Sequence, residues 1–190
     1  MRHLSGTWFV AYGNGRFVAV TNGSKEDPVL YSEDGVNWTS TPMTVECEFM
    51  SSWVGVRFVN DRFFAIGAFQ ISAYSKDGIN WTKITLPSST NYNDAAYYRD
   101  IAYGNGKYVA VGERAISYSE DGINWTKASA PTTEEGQWVS VTYGDGRFVA
   151  IPYSNQTTTQ SGLYAYSEDG INWKTNSVPN NCVWKCVHYE

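Results

Sequence analysis

Few side chains in this sequence could perform catalytic or metal chemistry, and they stand far apart. There are two histidines and three cysteines, and no Ser-His-Asp or Cys-His arrangement for nucleophilic catalysis is encoded locally. Cys182, Cys186 and His188 share one face of a predicted strand, but spacings of about 6.6 and about 13 Å along it do not fit one coordination sphere. We therefore expect no metal, no cofactor and no catalytic residue.

Carboxylates are the other candidates, because two of them flanking one bond are enough for glycoside hydrolysis. Four aspartates recur at one motif position: Asp34, Asp77, Asp121 and Asp169. Each is followed directly by glycine, which is typical of a tight turn between strands. Because each aspartate lies in its own hairpin, we assign all four to turn structure and not to catalysis.

These aspartates belong to a repeat that spans nearly the whole chain. Its first half is Tyr12–Val20, which returns at Tyr103–Val111 and Tyr143–Ile151, with a worn copy at Phe58–Ile66. Its second half follows at Tyr31–Thr39, Tyr74–Thr82, Tyr118–Thr126 and Tyr166–Lys174. The anchor positions 12, 58, 103, 143 and 189 recur every 40 to 46 residues. We therefore predict the secondary structure of one unit and apply it to all of them.

Each unit is predicted to form four short strands. In the third unit these are Tyr98–Tyr103, Lys107–Val111, Ala115–Ser119 and a strand opening at Asn124-Trp125. Such segments are rich in aromatic and β-branched residues and are broken by Asn-Gly or Asp-Gly, the chemistry of tight hairpins. No stretch carries a convincing helical period, so the fold class predicted is all-β. Four-stranded antiparallel sheets at this spacing predict a small β-propeller.

We predict one propeller domain over residues 1–190, with four complete blades and an extra C-terminal first strand. The repeats span about 7–43, 53–87, 98–131 and 138–179, and the closing strand is 182–189. We favour a closed ring with this strand at the seam between the first and last blades. The strand could instead cap an exposed edge or pair with another subunit, since unpaired edges invite pairing.

The motif Tyr-Ser-x-Asp-Gly-x-Asn-Trp resembles the Asp-box of sialidase-like propellers, in which it forms the hairpin between the third and fourth strands. Here glycine directly follows the aspartate, one residue earlier than in the family, so we expect a tighter hairpin. The resemblance implies that serine and aspartate oxygens accept turn amides and that tryptophan folds over the hairpin. The residues concerned are Ser32, Asp34, Gly35, Trp38, Ser75, Asp77, Gly78, Trp81, Ser119, Asp121, Gly122, Trp125, Ser167, Asp169, Gly170 and Trp173.

The same resemblance raises the alternative of a sialidase-like glycoside hydrolase or lyase. The family's Arg-Ile-Pro motif is absent. One repeat position is basic in all four units and holds Arg16, Arg62, Lys107 and Arg147. A long basic side chain there suits the exposed end of a strand, with its aliphatic part packed on the sheet. Alternatively, the four charges form a basic ring around the axis. Arg57, Arg99, Arg114, Glu113 and Asp100 fall outside the repeat and could cluster at a channel mouth. We expect a non-catalytic propeller.

Three tyrosines in irregular segments are the candidate ligand-binding residues: Tyr92, Tyr97 and Tyr153. They stand among amides and hydroxyls, a composition that suits sugar faces and equally suits a protein interface. The full repeat also looks like repeats of bacteriophage tail and other virion proteins and of bacterial surface proteins. That likeness implies a structural or recognition module with virion or surface proteins, or glycans, as partners. A scaffold that binds only protein is a further alternative.

Charge and hydropathy exclude other partners. The formal net charge is −5 with no visible basic patch, so phosphate backbones and anionic membranes repel the chain. No apolar run is long enough for a transmembrane helix, and no secretory signal is visible. We therefore predict no nucleic-acid binding and no membrane insertion. The resemblance to virion and surface repeats implies a location on a virion or a bacterial surface.

Overall fold

The computed structural model describes residues 7–22, 29–42, 53–67, 71–87, 97–129, 131, 137–153, 162–178 and 186–188. Within this part of the chain the regular structure is entirely β, in four antiparallel sheets of four strands each. In every sheet the strands lie side by side in chain order. None of the described residues forms a helix that could cross a membrane.

The sheets follow the repeat. Sheet 1 contains β1 (Thr7–Gly13), β2 (Arg16–Asn22), β3 (Val29–Ser32) and β4 (Thr39–Thr41). Sheet 2 contains β5 (Trp53–Val59), β6 (Arg62–Gly67), β7 (Ile71–Ser75) and β8 (Thr82–Thr85). Sheet 3 contains β9 (Tyr98–Gly104), β10 (Lys107–Gly112), β11 (Ala115–Ser119) and β12 (Thr126–Lys127). Sheet 4 contains β13 (Trp138–Gly144), β14 (Arg147–Pro152), β15 (Leu163–Ser167) and β16 (Lys174–Ser177).

The first hairpin of each sheet closes with two residues in the left-handed region. In sheet 3 these are Asn105, with φ of 47°, and Gly106, with φ of 72°. Positive φ at both turn positions is the signature of a type I′ turn, whose twist matches that of the strands. The Asn-Gly pairs of the sequence therefore fix the register in which Gly104 lies opposite Lys107.

The chain divides into two compact units, residues 1–85 and 86–190. In the first unit, sheets 1 and 2 pack face to face around one cluster of buried residues. In the second unit, sheets 3 and 4 pack in the same way around another. Because both faces of a sheet can meet a neighbour, the repeat carries apolar residues on both alternating faces of its second strand. The single-domain assignment remains a prediction.

Each sheet can be given a forward face, which packs on the sheet that follows within a unit, and a rear face, which packs on the sheet before it. The forward face of sheet 1 includes Val18 and Val20, and the rear face of sheet 2 includes Val56 and Phe63. All four are at most 1% exposed. Burial of such side chains contributes roughly 1.5–3 kcal/mol each to folding, so the sheet-to-sheet contact is the core of each unit.

A glycine makes this contact possible. A Cβ at Gly13 would lie 2.0 Å from Cγ of Phe58 on the next sheet, and one at Gly104 would lie 2.0 Å from Cγ of Tyr143. The first glycine of Tyr-Gly-Asn-Gly therefore leaves room for the aromatic ring of the following repeat. In sheet 2 this glycine is replaced by Val59. The worn copy of the motif therefore lacks the residue that leaves room for the ring.

The C-terminal residues 186–188 are not assigned to a strand, and residues 182–185 and 189 lie outside the described residues. The N–H of Val187 donates to Oγ of Ser140 on β13 at 3.3 Å. The equivalent contact between sheets 3 and 4 is the bond from the N–H of Val141 to Oδ2 of Asp100 at 3.1 Å. Residues 186–188 therefore lie against sheet 4 where the first strand of another repeat would begin.

Candidate functional site: the tyrosine end of the second unit

Tyr97 and Tyr153, two of the three tyrosines singled out in the sequence, lie at the same end of the second unit. The N–H of Glu113 donates to the carbonyl of Tyr97 at 2.9 Å. Glu113 forms an antiparallel bridge with Gln137, and the N–H of Tyr153 donates to the carbonyl of Gln137 at 2.7 Å. A continuous backbone ladder thus joins the two tyrosines. Tyr92 lies outside the described residues.

A charged pair belongs to the same end. Arg99 donates from Nη2 to Oε1 of Glu113 at 2.6 Å, and both side chains are partly exposed. Tyr153 is 47% exposed, and Tyr97 is half-buried. We call Tyr97, Arg99, Glu113, Gln137 and Tyr153 the tyrosine end. Arg99 and Tyr153 are exposed, and the other three residues are half-buried.

Tyr98, next to Tyr97 in the chain, holds the start of β9 in place. Its ring is buried, and its hydroxyl donates to the carbonyl of Pro87 at 2.8 Å and lies 2.6 Å from Oγ of Ser117. Burial raises the pKa of Tyr98 to about 12, against a smaller lowering by the Ser117 hydrogen bond. The phenol therefore stays protonated at all physiological pH values and serves as a fixed donor that holds the start of β9 in place.

Asp100, beside this end in sequence, is a structural carboxylate. It is 4% exposed. Its Oδ2 accepts from Oγ of Ser140 at 2.8 Å and from the N–H of Val141, and its Oδ1 accepts from the N–H of Ile101 at 3.0 Å. A buried polar side chain needs such hydrogen-bond partners. Its hydrogen bonds tie β9 to β13, which places both strands of the tyrosine end.

The four hairpins that resemble Asp-boxes, called the Asp-box hairpins below, share one hydrogen-bond pattern. In sheet 3, Oδ1 of Asp121 accepts from the N–H groups of Ile123 and Asn124, each at 2.8 Å. Oδ2 accepts from Nδ2 of Asn124 at 2.7 Å, and Oγ of Ser119 accepts from the N–H of Gly122 at 2.8 Å. The carboxylate replaces the missing backbone partners of the turn, a structural role.

These donors stabilise the ionised form of the carboxylate. The N–H of Asn37, followed by that of Val36, holds the pKa of Asp34 far below its ordinary value, and Asn124 and Ile123 do the same for the pKa of Asp121. Partial burial acts to raise the pKa of Asp77 and Asp169, but their hydrogen bonds outweigh it and the pKa falls there too. An aspartate with so low a pKa is a poor general acid.

The box tryptophans share one hydrogen bond but differ in burial. Each indole Nε1 donates to the carbonyl of the box glycine, as in Trp81 to Gly78 at 3.3 Å and Trp38 to Gly35 at 3.2 Å. Trp81 and Trp173, in the second sheet of each unit, are 6% and 8% exposed, whereas Trp38 is 38% exposed. The hairpin therefore also supplies apolar surface to the contact with the preceding sheet.

Two of the repeated arginines lie over a tyrosine of their own sheet, and Arg16 also bonds to the next sheet. The guanidinium of Arg16 lies over the ring of Tyr31 at 5.2 Å and donates to the carbonyl of Asp77. That of Arg62 lies over Tyr74 at 5.6 Å. Arg147 is more exposed and lies 3.6 Å from Glu168. The first two positions therefore hold a packed stem and a cation–π contact.

A cleft of about 260 Å³ lies beside the Asp-box of sheet 4, lined by Tyr166, Ser167, Glu168, Asp169, Asn172 and Lys174. Its residues are mostly those that build the hairpin, so its polar groups are largely engaged. No group of three or more metal-ligating side chains occurs among the residues described.

The sequence identified the tyrosines but not the residues that bring them together. Gln137 joins the site through its backbone, which bridges to Glu113, 24 residues away in the chain, and accepts from the N–H of Tyr153. Arg99 and Glu113 fall outside the repeat, and this was the feature of the sequence that marked them as candidate site residues. Their pairing depends on how β9 and β10 align, including a register shift between Val111 and Gly112.

Comparison with known proteins gives the fold and leaves the family open. No known family model matches the sequence, and no curated protein matches it. Solved structures do. YCF48 bound to D1 peptide is 16% identical with a TM-score of 0.60, covering 93% of this chain and 55% of that one. YCF48 from Cyanidioschyzon merolae is 19% identical with a TM-score of 0.62, covering 98% and 61%.

A catalytically inactive virginiamycin B lyase from Staphylococcus aureus with quinupristin gives a TM-score of 0.72 at 11% identity, covering 94% of this chain and 57% of that one. The chain thus spans a little over half the length of these proteins. They are β-propellers, and the likeness confirms the predicted fold class: an all-β propeller architecture of four-stranded antiparallel sheets. At such identities the similarity concerns the fold alone.

Proposed function

We propose that this protein is a non-catalytic recognition propeller whose ligand binds at the tyrosine end. The observation that carries the proposal is the backbone ladder through Glu113 and Gln137, which brings Tyr97 and Tyr153 to one end of the second unit. Arg99 and Glu113 leave the repeat and are candidates for a role outside the repeated fold. The tyrosine end combines an exposed aromatic ring with charged and amide groups, a composition typical of binding surfaces.

The ligand we propose is a cell-surface glycan. A pyranose presents an apolar face that can stack on the exposed ring of Tyr153, and hydroxyl groups that can bond to Gln137, Arg99 and Glu113. The setting we propose is a bacteriophage particle or a bacterial surface. It rests on the resemblance of the repeat to those of virion and surface proteins.

The absence of catalysis is part of the proposal, and its support is chemical. Glu113 accepts a hydrogen bond from Arg99 at 2.6 Å, so its carboxylate is already engaged in an ion pair. Asp100 is buried and accepts several hydrogen bonds. The Asp-box carboxylates serve their own turns. A pair of free carboxylates suited to glycoside hydrolysis is therefore lacking among these acids.

A glycan array with the whole chain tests the proposal. We expect binding to a restricted set of glycans and a loss of roughly 10-fold or more in affinity for Tyr153→Ala, since a stacked ring supplies about 1–2 kcal/mol. Tyr164→Ala, a half-buried tyrosine on β15, is the matched control and should bind normally.

Two outcomes would count against the proposal. One is equal binding by wild type and Tyr153→Ala. The other is turnover of a bound glycan that disappears in Glu113→Gln, which would indicate a glycoside hydrolase or lyase.

A protein partner is the second candidate, because one structurally similar protein, YCF48, was solved with a bound peptide. Tyrosine and arginine are the residues most often found at the centres of protein interfaces. If the array shows no glycan binding, a cross-linking experiment with a photoreactive residue at position 153 should capture a protein from the particle or surface. Capture that is equal from a photoreactive residue at position 164 would contradict this candidate.

A further inference from the structure

Four side chains of the tyrosine end lie in one row, because the ends of four strands pair side by side there. The carbonyl of Tyr97, which precedes β9, accepts from the N–H of Glu113, which follows β10. Glu113 forms an antiparallel bridge with Gln137, which precedes β13. Gln137 in turn accepts from the N–H of Tyr153, which follows β14. We call these four residues, in the order Tyr97, Glu113, Gln137 and Tyr153, the tyrosine row.

The strand registers turn the four side chains to the same side. In sheet 3, Tyr98 pairs with Gly112, and the row residues of that sheet are the next pair outward. In sheet 4, Trp138 pairs with Pro152, and its row residues follow in the same way. Residues directly opposite each other across antiparallel strands point their side chains to one face. Neighbouring strands are about 4.8 Å apart, so the row extends over about 15 Å.

The tyrosine row has an aromatic ring at each end and polar groups between them. Tyr97 and Gln137 occupy the same repeat position, and so do Glu113 and Tyr153. The two sheets thus present equivalent backbone positions with different side chains, and the repeated fold does not itself require a tyrosine at either position. Arg99 adds a cation to the polar centre, since it donates to Oε1 of Glu113 at 2.6 Å.

The backbone groups of the row are engaged within the ladder. Its hydrogen bonds use the N–H groups of Glu113 and Tyr153 as donors, and the carbonyls of Tyr97 and Gln137 as acceptors. A peptide that joins a sheet as an extra strand depends on such main-chain groups. Recognition along the row therefore depends on side chains. This favours a chain of sugars, in which every unit presents an apolar face and several hydroxyl groups, over an added peptide strand.

We propose that the tyrosine row binds a linear glycan lengthwise, so that about three or four consecutive sugars lie along it. One sugar packs against Tyr153 and another against Tyr97. The sugars between them bond through their hydroxyl groups, with Arg99 as a donor, Glu113 as an acceptor and Gln137 as either. The length follows from the spacing, because one pyranose unit of a chain is about as long as the distance between neighbouring strands. This inference rests on the proposed function, which by itself requires a sugar at Tyr153 alone.

An array on which each glycan is printed at several chain lengths tests the inference with the whole chain. The series are linear oligomers of glucose, of mannose and of N-acetylglucosamine, and fragments of bacterial surface polysaccharides, each from the monosaccharide to the hexasaccharide. In a series that binds, we expect the affinity to rise by roughly 10-fold once the glycan reaches both tyrosines, and to stay constant beyond about four sugars.

Tyr97→Ala separates the two ends of the row. It should remove the roughly 10-fold gain for the tetrasaccharide and leave binding of the monosaccharide unchanged, whereas Tyr153→Ala should weaken both. Tyr97→Phe keeps the ring and should bind like the wild type. Tyr164→Ala is the matched control for loss of a half-buried tyrosine elsewhere. Circular dichroism spectra that match the wild type confirm that each variant folds.

Two results would overturn the inference and leave the proposed function in place. One is wild-type binding that depends on Tyr153 and does not increase beyond the disaccharide. The other is an equal loss for the monosaccharide and the tetrasaccharide in Tyr97→Ala. Absence of binding in every series would contradict the inference and the proposed function together. The length dependence of the wild type needs no variant, so the test holds even if Tyr97→Ala does not fold.

Discussion

At the scale of single residues, the two glycines of the Tyr-Gly-Asn-Gly hairpin serve different purposes. Gly104 is needed for space, because a Cβ there would enter the ring of Tyr143. Gly106 is needed for backbone conformation, since its φ is 72° and no atom lies within 4 Å of its Cβ position. Steric exclusion by a packed ring costs more than a left-handed φ for alanine.

We therefore predict that Gly104→Ala lowers the free energy of unfolding by about 1–3 kcal/mol or more, the cost of overpacking a well-packed contact. Gly106→Ala should cost only about 1 kcal/mol, the penalty for the left-handed region. Urea unfolding followed by circular dichroism measures both. Equal costs, or a larger cost for Gly106→Ala, would show that Tyr143 does not pack over this backbone.

At the scale of elements, an Asp-box hairpin is both a turn and a packing element. Its polar half is complete within each hairpin, through the serine and aspartate bonds. Its apolar half depends on a neighbour, because Trp81 is buried against the cluster of the first unit while Trp38 is partly exposed. The same motif therefore contributes different amounts to stability in different sheets.

Replacing these tryptophans should separate the two contributions. We predict that Trp81→Ala lowers the free energy of unfolding by about 3–5 kcal/mol, as expected for a buried aromatic ring. Trp38→Ala should cost about 1–2 kcal/mol, because less apolar area leaves contact with protein. Both lose the same hydrogen bond to a box glycine, so the difference reports packing. Equal losses in urea unfolding would contradict this account.

Most strands and hairpins could be predicted from the sequence, because their bounds depend on residues that are close together in the chain. The strand predicted over Ala115–Ser119 has those bounds in the structure, and the Asp121-Gly122 turn marks its C-terminal end. The burial difference between Trp38 and Trp81 could not be predicted, since both lie in the same motif. It depends on which sheet covers which face, and that is a tertiary property.

The tyrosine end shows the same limit. Tyr97 and Tyr153 could be proposed from their irregular surroundings, but the ladder between them uses Glu113 and Gln137, which carry no recognisable motif. A backbone bridge between distant segments leaves no trace in residue type. The part of the site that depends on composition was therefore accessible, and the part that depends on register was not.

At the scale of the whole molecule, repetition multiplies small electrostatic effects. Four Asp-box carboxylates have a pKa below the ordinary value, chiefly because turn donors stabilise the charged form. In the unfolded chain each returns to about 3.9. The unfolded state therefore binds more protons than the folded state in acid, and stability falls as the pH drops below about 4.

We predict that the free energy of unfolding is constant above about pH 5 with respect to these groups and declines steeply between about pH 4 and pH 2. Asp121→Asn should reduce proton uptake on unfolding near pH 3 by about one proton, and Asp77→Asn combined with it by about two. Urea unfolding across this pH range gives the uptake from its slope. A slope that neither variant changes would mean that the boxes do not hold their carboxylates ionised.

Within every sheet each strand pairs with its neighbour in the chain. One contiguous stretch of about 40 residues therefore encodes a complete sheet with a forward and a rear face. Duplication of a single DNA segment would add a finished building block, and the new block would arrive with the surfaces needed to stack on the old one. Copies can then diverge at single positions, as at Val59 and Asp145, while the strand order stays the same. Such a gene can lengthen or shorten without passing through an unfoldable intermediate.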